Sequence, residues 1–168
     1  MRKKNKIPKT MLLLMLILAM LGTSFVSVGA VTVPYRKIAW SQTPVKVGNS
    51  YVWQQSNGEI KVKKSKNSSI KSVRGKYQGI EGITNGSTIY YISYYWADGG
   101  DGILPLVLGK YSIATGKHIE YKRMEAYAGY GRICGYYNNK IYYFICDLSG
   151  RCKFYSFDTK TKKNFFDQ

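Results

Sequence analysis

From residue 49 onward, β-branched and aromatic residues stand in short runs separated by small polar ones. Tyr, Ile, Val, Phe and Thr fill the runs, and Gly, Asn, Ser and Asp interrupt them at Asn49-Ser50, Ser56-Asn57-Gly58, Asn85-Gly86-Ser87, Asp98 to Gly102 and Asn138-Asn139. Runs of that length and composition, bounded by residues that tolerate tight turns, read as strands joined by hairpins. No window of a dozen residues keeps an apolar i, i+3, i+4, i+7 spacing, so no amphipathic helix is expected. The pattern predicts an all-β protein.

The strands repeat. Leu108 to Lys117 aligns without a gap under Phe154 to Lys163 at an offset of 46 residues, and Asn85 to Ile92 matches Asn138 to Phe144 at an offset of 52, counted from Ile89 to Ile141. The difference falls in the loop "WADGGDGILP", an insertion between the second and third strands of the earlier unit. A weaker copy starts at Asn49-Ser50-Tyr51-Val52-Trp53, turns at Ser56 to Glu59 and continues through Ile60 to Val62. Three units result, at about 49–76, 77–126 and 127–168, after a lead-in over 31–48. Each reads as four strands; in the third they are expected at Arg132–Tyr137, Lys140–Cys146, Cys152–Asp158 and Lys163–Phe166. Repeats of this length built from short strands are the mark of propeller blades.

"NNKIYYFICDLSGRCKFYSFDTKTKK" resembles the blade repeat of exported bacterial β-propellers of the TolB-like and YWTD-like kind, in which "dgkIYY" is followed by "LYsyDlkTgk". "STIYYISYY" with "LGKYSIATGK" is similar, with Gly109 and Ser112 as departures, and the first unit matches only in its turn and second strand. The resemblance implies antiparallel four-stranded blade-like sheets and a tendency to bind other molecules; it brings no catalytic residue with it. Three blades cannot close a ring, which needs four to eight. The expected architecture is therefore a partial, three-unit propeller-like arc, with self-association into a homo-oligomer as one way to cover its edges and faces.

The first 30 residues carry a different pattern. Arg2, Lys3, Lys4, Lys6 and Lys9 precede an unbroken apolar run from Met11 to Leu21, and small residues reach Ala30. That order predicts a secretory signal peptide over 1–30. The competing reading is an uncleaved anchor, the single route by which the chain would meet a membrane, and no cysteine follows at a lipobox position. The formal charge is +17, and removing the five basic residues of the leader leaves +12. A secreted or cell-surface protein of that charge is expected to meet anions, either as a merely solubilising surface or as a binder.

Candidate chemistry is sparse. Cys146 and Cys152 flank the loop Asp147–Arg151 and face each other if the hairpin pairs symmetrically, within reach of a disulfide in an exported protein. Cys134 is expected opposite Tyr143 as a buried small apolar residue. Three cysteines without CxxC spacing and one histidine predict no metal site. His118, following "TGK" and aligned with Asn164, reads as a solvent-facing turn residue rather than a base. Asp98 and Asp101 in "ADGGDG" lack the further oxygen ligands a calcium loop needs, but the inserted loop, with Trp96 and the adjacent Tyr94 and Tyr95, is a candidate ligand contact. The nine acids are scattered, so no catalytic constellation and no cofactor is expected.

Lys61, Lys63, Lys64, Lys66, Lys71, Arg74 and Lys76 form a stretch without an acid on the first unit's outer hairpin. Charge there protects a sheet edge or docks a polyanion. Of the 16 tyrosines, doublets such as Tyr90-Tyr91 and Tyr142-Tyr143 put one ring on each strand face. Tyr90, Tyr142 and Tyr155 are expected to wedge adjacent sheets together, and exposed rings are free for sugar stacking or protein contact. The sequence therefore points to an exported, non-enzymatic binding module whose partners are proteins or an anionic cell-wall glycopolymer, with no specific nucleic acid among them. The alternatives are a degenerate hydrolase or lyase on a propeller scaffold and a shortened copy of a longer propeller.

Overall fold

The computed structural model describes residues 34–73, 77–95, 106–124, 128–147 and 149–167; the leader, Arg74, Lys76, Trp96, Asp98 and Asp101 lie outside them. The described residues hold thirteen strands in three antiparallel sheets. The first sheet orders β2 (Lys46–Val47), β3 (Ser50–Gln54), β4 (Ile60–Lys63) and β5 (Lys71–Ser72). The second orders β1 (Arg36–Lys37), β6 (Tyr77–Thr84), β7 (Thr88–Tyr95), β8 (Leu106–Ser112) and β9 (His118–Met124). The third orders β10 (Ala128–Tyr137), β11 (Lys140–Asp147), β12 (Cys152–Asp158) and β13 (Asn164–Asp167). Each is a blade-like meander of consecutive strands. The lead-in is woven into two of them, since Arg36 pairs with Thr84 and Lys46 with Tyr51.

Alternation of side chains sorts each strand's residues between two cores. One core joins the first and second sheets through Val47, Val52, Ile60 and Val62 against Ile89, Tyr91, Tyr111 and Ile113. The other joins the second and third through Ile83, Tyr90, Ile92, Leu106 and Leu108 against Ile133, Ile141, Tyr143 and Phe157. The second sheet is thus buried on both faces, which explains why "IYYI" in β7 is hydrophobic without alternation.

Tight turns set the registers. Asn138 and Asn139 both have positive φ, 46° and 62°, the two-residue hairpin geometry that asparagine tolerates, and Tyr137 then pairs with Lys140. A β-bulge follows: Ile133 pairs with Tyr143 and Gly135 with Tyr142, leaving Cys134 out of the ladder. Cys134 is therefore an exposed free thiol rather than the buried residue its expected pairing implied. Cys146 and Cys152 pair directly and form a disulfide. In the loop they close, Asp147 Oδ1 accepts hydrogen bonds from Ser149 Oγ (2.6 Å) and from the backbone N–H groups of Ser149 and Arg151 (both 2.9 Å).

Gly109 departs from the blade pattern for a steric reason. It pairs with Tyr91, whose ring lies over it, and a Cβ there would come within 2.5 Å of Tyr91 Cζ. With Tyr91 fully buried, the ring has nowhere to move. Gly109→Ala is expected to cost about 1–3 kcal/mol by overpacking, read as a lower denaturant midpoint at constant slope. Gly135→Ala, with no atom within 4 Å of the added methyl, should stay within about 0.5 kcal/mol.

The Asp147 carboxyl, held by Ser149 and Arg151, is pushed down from 3.8 to about 2. A depressed carboxylate contributes stability that is complete above its unfolded value and is lost as pH falls through its folded one. Wild type should therefore lose melting temperature between pH 3.8 and about 2, and Asp147→Asn should remove that part of the acid slope.

Candidate functional site

The second-strand tyrosine of each of the last two sheets crosses the third strand and reaches the first residue of the fourth. Tyr91 Oη lies 3.2 Å from His118 Nδ1, and Tyr143 Oη lies 2.7 Å from the Asn164 amide. These pairs occupy equivalent positions, 52 and 46 residues apart along the chain. His118 is exposed as expected, with its ring against Tyr111 at 4.7 Å and Tyr91 at 6.0 Å. In the third sheet the residue aligned with Gly109 is Tyr155, which stacks on Tyr143 at 5.4 Å and is edged by Phe166 at 5.5 Å.

A cleft lies between the second and third sheets, with Tyr155 in its wall. Its volume is about 440 Å³, and its walls are Lys122, Arg123 and Met124 from β9, Tyr143 and Ile145 from β11, Tyr155 from β12 and Asn164 from β13. In the amide orientation that satisfies its neighbours, Asn164 Nδ2 donates to Ser156 O (3.3 Å) and Tyr143 Oη (2.7 Å), and its Oδ1 accepts from Lys122 Nζ (3.3 Å). That arrangement leaves the Tyr143 hydroxyl proton free to be donated. Arg123 holds Glu120 at 3.2 Å. Lys122 is half-buried and has no carboxylate partner among the described residues. The cleft thus joins an uncompensated ammonium, an aromatic wall and a hydroxyl donor.

Glu59, Glu81 and Asp158 are engaged elsewhere. Glu59 pairs with Lys61 at 2.8 Å; Glu81, on an inner strand, lies between Lys37 and Arg132, each at 3.4 Å; Asp158 accepts from the N–H groups of Lys160 and Thr161. Among the described residues no three of His, Cys, Asp and Glu gather where they could hold a metal ion.

The basic stretch on the first sheet is split by strand alternation. Lys61 and Lys63 pair with Trp53 and Tyr51 on the face away from the second sheet; Lys61 is tied to Glu59 and Ser72, and Lys63 to the Lys66 carbonyl. Lys71 pairs with Val62 on the other face, and with Lys64, Ser68, Ser69 and Ile113 lines a second cavity of about 230 Å³. Lys64 Nζ donates to the Ala114 carbonyl, and Lys66 is exposed. Tyr94 and Tyr95 end β7, Tyr94 between Gln78 and Leu106 and Tyr95 beside Tyr77.

Of the rings expected as wedges, Tyr90 and Tyr155 face the core between the second and third sheets, whereas Tyr142 points the other way and Tyr143 takes its place. Tyr90 stacks on Tyr136 at 5.0 Å and packs on Tyr35 and Tyr121 at 5.1 and 6.3 Å. The cleft residues Lys122, Arg123, Tyr143 and Asn164 were not marked by any motif. The signal was the alignment of Asn164 with His118 and of Tyr155 with Gly109, which acquires meaning once both are known to share a sheet face with Tyr143.

No family model matches the sequence, and no curated protein matches it. Among solved structures, an oligogalacturonate lyase in complex with manganese is similar at a TM-score of 0.37 and 8% identity, over 70% of this chain and 50% of that one. The chain thus spans half the length of that protein.

Burial raises Tyr35, Tyr90, Tyr111, Tyr121 and Tyr143 above the ordinary phenol value of 10.0. Such groups stay neutral when their unfolded counterparts ionise, so their contribution is complete below pH 10 and is lost as pH rises beyond it. A phenolate absorbance titration should show these five tyrosines ionising only together with alkaline unfolding. Ionisation of these five before unfolding would contradict the burial.

Proposed function

We propose that this protein is an exported, non-enzymatic binding module of the cell surface, and that the cleft between its second and third sheets takes an acidic sugar unit of a cell-wall glycopolymer. The observation that carries the reading is the half-buried Lys122 ammonium facing an aromatic-walled cleft with no carboxylate partner among the described residues. A partly desolvated charge is stabilised by a counter-ion, and an anionic ligand supplies one. The exposed part of the Tyr155 ring offers a face for a pyranose, the Tyr143 hydroxyl a donor and Asn164 an amide. The positive surface supports the same reading from a distance: a charge of +12 after leader removal draws polyanions to the protein before any specific contact forms.

The test is retention on purified cell wall, before and after chemical removal of its anionic glycopolymer. Wild type should be retained by intact wall, released as salt screens the charges, and not retained by stripped wall. Lys122→Glu and Tyr155→Ala should each weaken retention by about tenfold, the effect of losing one charge-assisted or stacking contact of about 1.4 kcal/mol. Lys160→Glu, an equal charge change on an exposed turn, should have a much smaller effect. Equal losses in the Lys122 and Lys160 variants, or retention that salt does not affect, would refute the cleft as the site.

A further inference from the structure

The face of the third sheet that turns away from the second is aromatic and open. Strand alternation puts Tyr130 and Arg132 of β10, Tyr142 and Phe144 of β11, Phe154 of β12 and Phe165 of β13 on it. Tyr130 meets Phe144 edge-on at 5.9 Å, and Phe144 meets Phe154 at 5.7 Å, a continuous strip across three strands. Tyr130, Phe154 and Phe165 are 43%, 54% and 42% exposed. Arg132 sits over the Tyr130 ring at 6.0 Å and Lys140 over Phe165 at 5.1 Å.

The repeat says what kind of surface this is. Tyr142 and Phe144 are equivalent to Tyr90 and Ile92, and Phe154 to Leu108, at the offsets of 52 and 46. In the second sheet those positions are 5%, 2% and 0% exposed, because the third sheet packs on them. The third sheet therefore presents, uncovered, the face that in its neighbour is covered by another sheet. Apart from the two cations, the strip holds no side chain with several hydrogen-bond donors, as a sugar's hydroxyls would need. Phenylalanines suit a dry protein contact.

One candidate cover lies within this chain. In a ring, this face would meet the rear face of a first sheet, but there Trp53 is 2% exposed and the Lys61 and Glu59 side chains are 18% and 11% exposed. That face is already closed. We infer that the aromatic face of the third sheet packs against the same face of a second copy of the chain, in an isologous dimer. A two-fold arrangement needs only self-complementarity, and a flat strip of rings rimmed by Arg132 and Lys140 satisfies it, because each cation can stack on a ring as well as stay hydrated at the rim. Four strands about 4.8 Å apart and seven residues long bury about 900 Å² in total between two copies. That is at the low end of specific interfaces, so the dimer should dissociate in the micromolar range.

The experiment is sedimentation velocity of the mature chain across concentrations up to about 100 μM, well above the expected midpoint. Wild type should pass from monomer to dimer, and added salt should strengthen or spare the dimer, because it screens the repulsion between two basic copies, which separates this contact from the charge-driven polymer binding. Phe154→Glu, at a 54% exposed position, should raise the dissociation constant at least tenfold, while the melting temperature read on dilute, monomeric protein falls only by the small cost of the lost Phe144 contact. Ile119→Glu, an equal change at a 48% exposed residue of the second sheet, should leave the dimer intact. A monomer at every concentration, a dimer indifferent to Phe154→Glu, or equal loss in the two variants would each overturn the proposal.

Discussion

The packing of one buried tyrosine across the third strand of its sheet is the contact on which the rest of the molecule depends. Tyr91 and Tyr143 each face the preceding sheet, pass over a third-strand residue and end on the first residue of the fourth strand. This single side chain fills the space between two sheets and fixes the outer strand by a polar tip, the combination for which a phenol is suited. What lies under the ring then decides the local character. Glycine at 109 leaves room for the Tyr91 ring to lie over the third strand, whereas at 155 a tyrosine stacks on Tyr143 and lines the cleft beside it. In the first sheet the equivalent residue is Trp53, whose indole N–H is buried without a hydrogen-bond partner among the described residues, in keeping with that unit being the weakest copy of the repeat.

The same logic distributes charge. A strand puts successive residues on opposite faces, so a run of lysines in sequence is not a patch in space. Lys61 and Lys71 lie within one basic stretch but on different faces of the first sheet, one neutralised by Glu59 and the other beside Lys64 at a cavity. Lys122, in a stretch with no conspicuous run, is half-buried at a cleft with no carboxylate partner among the described residues. Local context, rather than local density, determines which cation is available to a ligand.

Much of the fold was legible in the sequence because it rests on local rules. The all-β class, the turn at Asn138-Asn139, the third unit's four strands and the facing of Cys146 and Cys152 follow from period-two alternation and from residues that accept positive φ. What escaped were features set by one inserted residue or by a neighbouring sheet. The bulge at Cys134 breaks the count from the turn and exposes the thiol. The exchange of Tyr142 for Tyr143 as the wedge depends on which face of the hairpin meets the second sheet, and pairing alone leaves both faces equivalent. The cleft combines both difficulties, drawing residues from four strands of two sheets.

The two open features of the third sheet answer to different physics, and so they need not compete. The cleft opens toward the second sheet and sets an ammonium beside aromatic walls, and on the proposed reading occupation there exchanges water for an anion at a charged group, a salt-dependent process. The opposite face is aromatic, and covering it is driven by removal of apolar surface, which salt does not weaken. Between them lies a single layer of backbone, pinned at one end by the Cys146–Cys152 disulfide and at the other by the two-asparagine turn. The two features lie on opposite faces of one sheet, so a contact on one does not cover the other. A dimer formed through the aromatic face would therefore leave both clefts open and carry them in a fixed two-fold relation. For a polymeric ligand, two linked sites raise the effective concentration of the second once the first is filled, so on the proposed reading a weak cleft on a weak dimer would still give firm attachment to a wall.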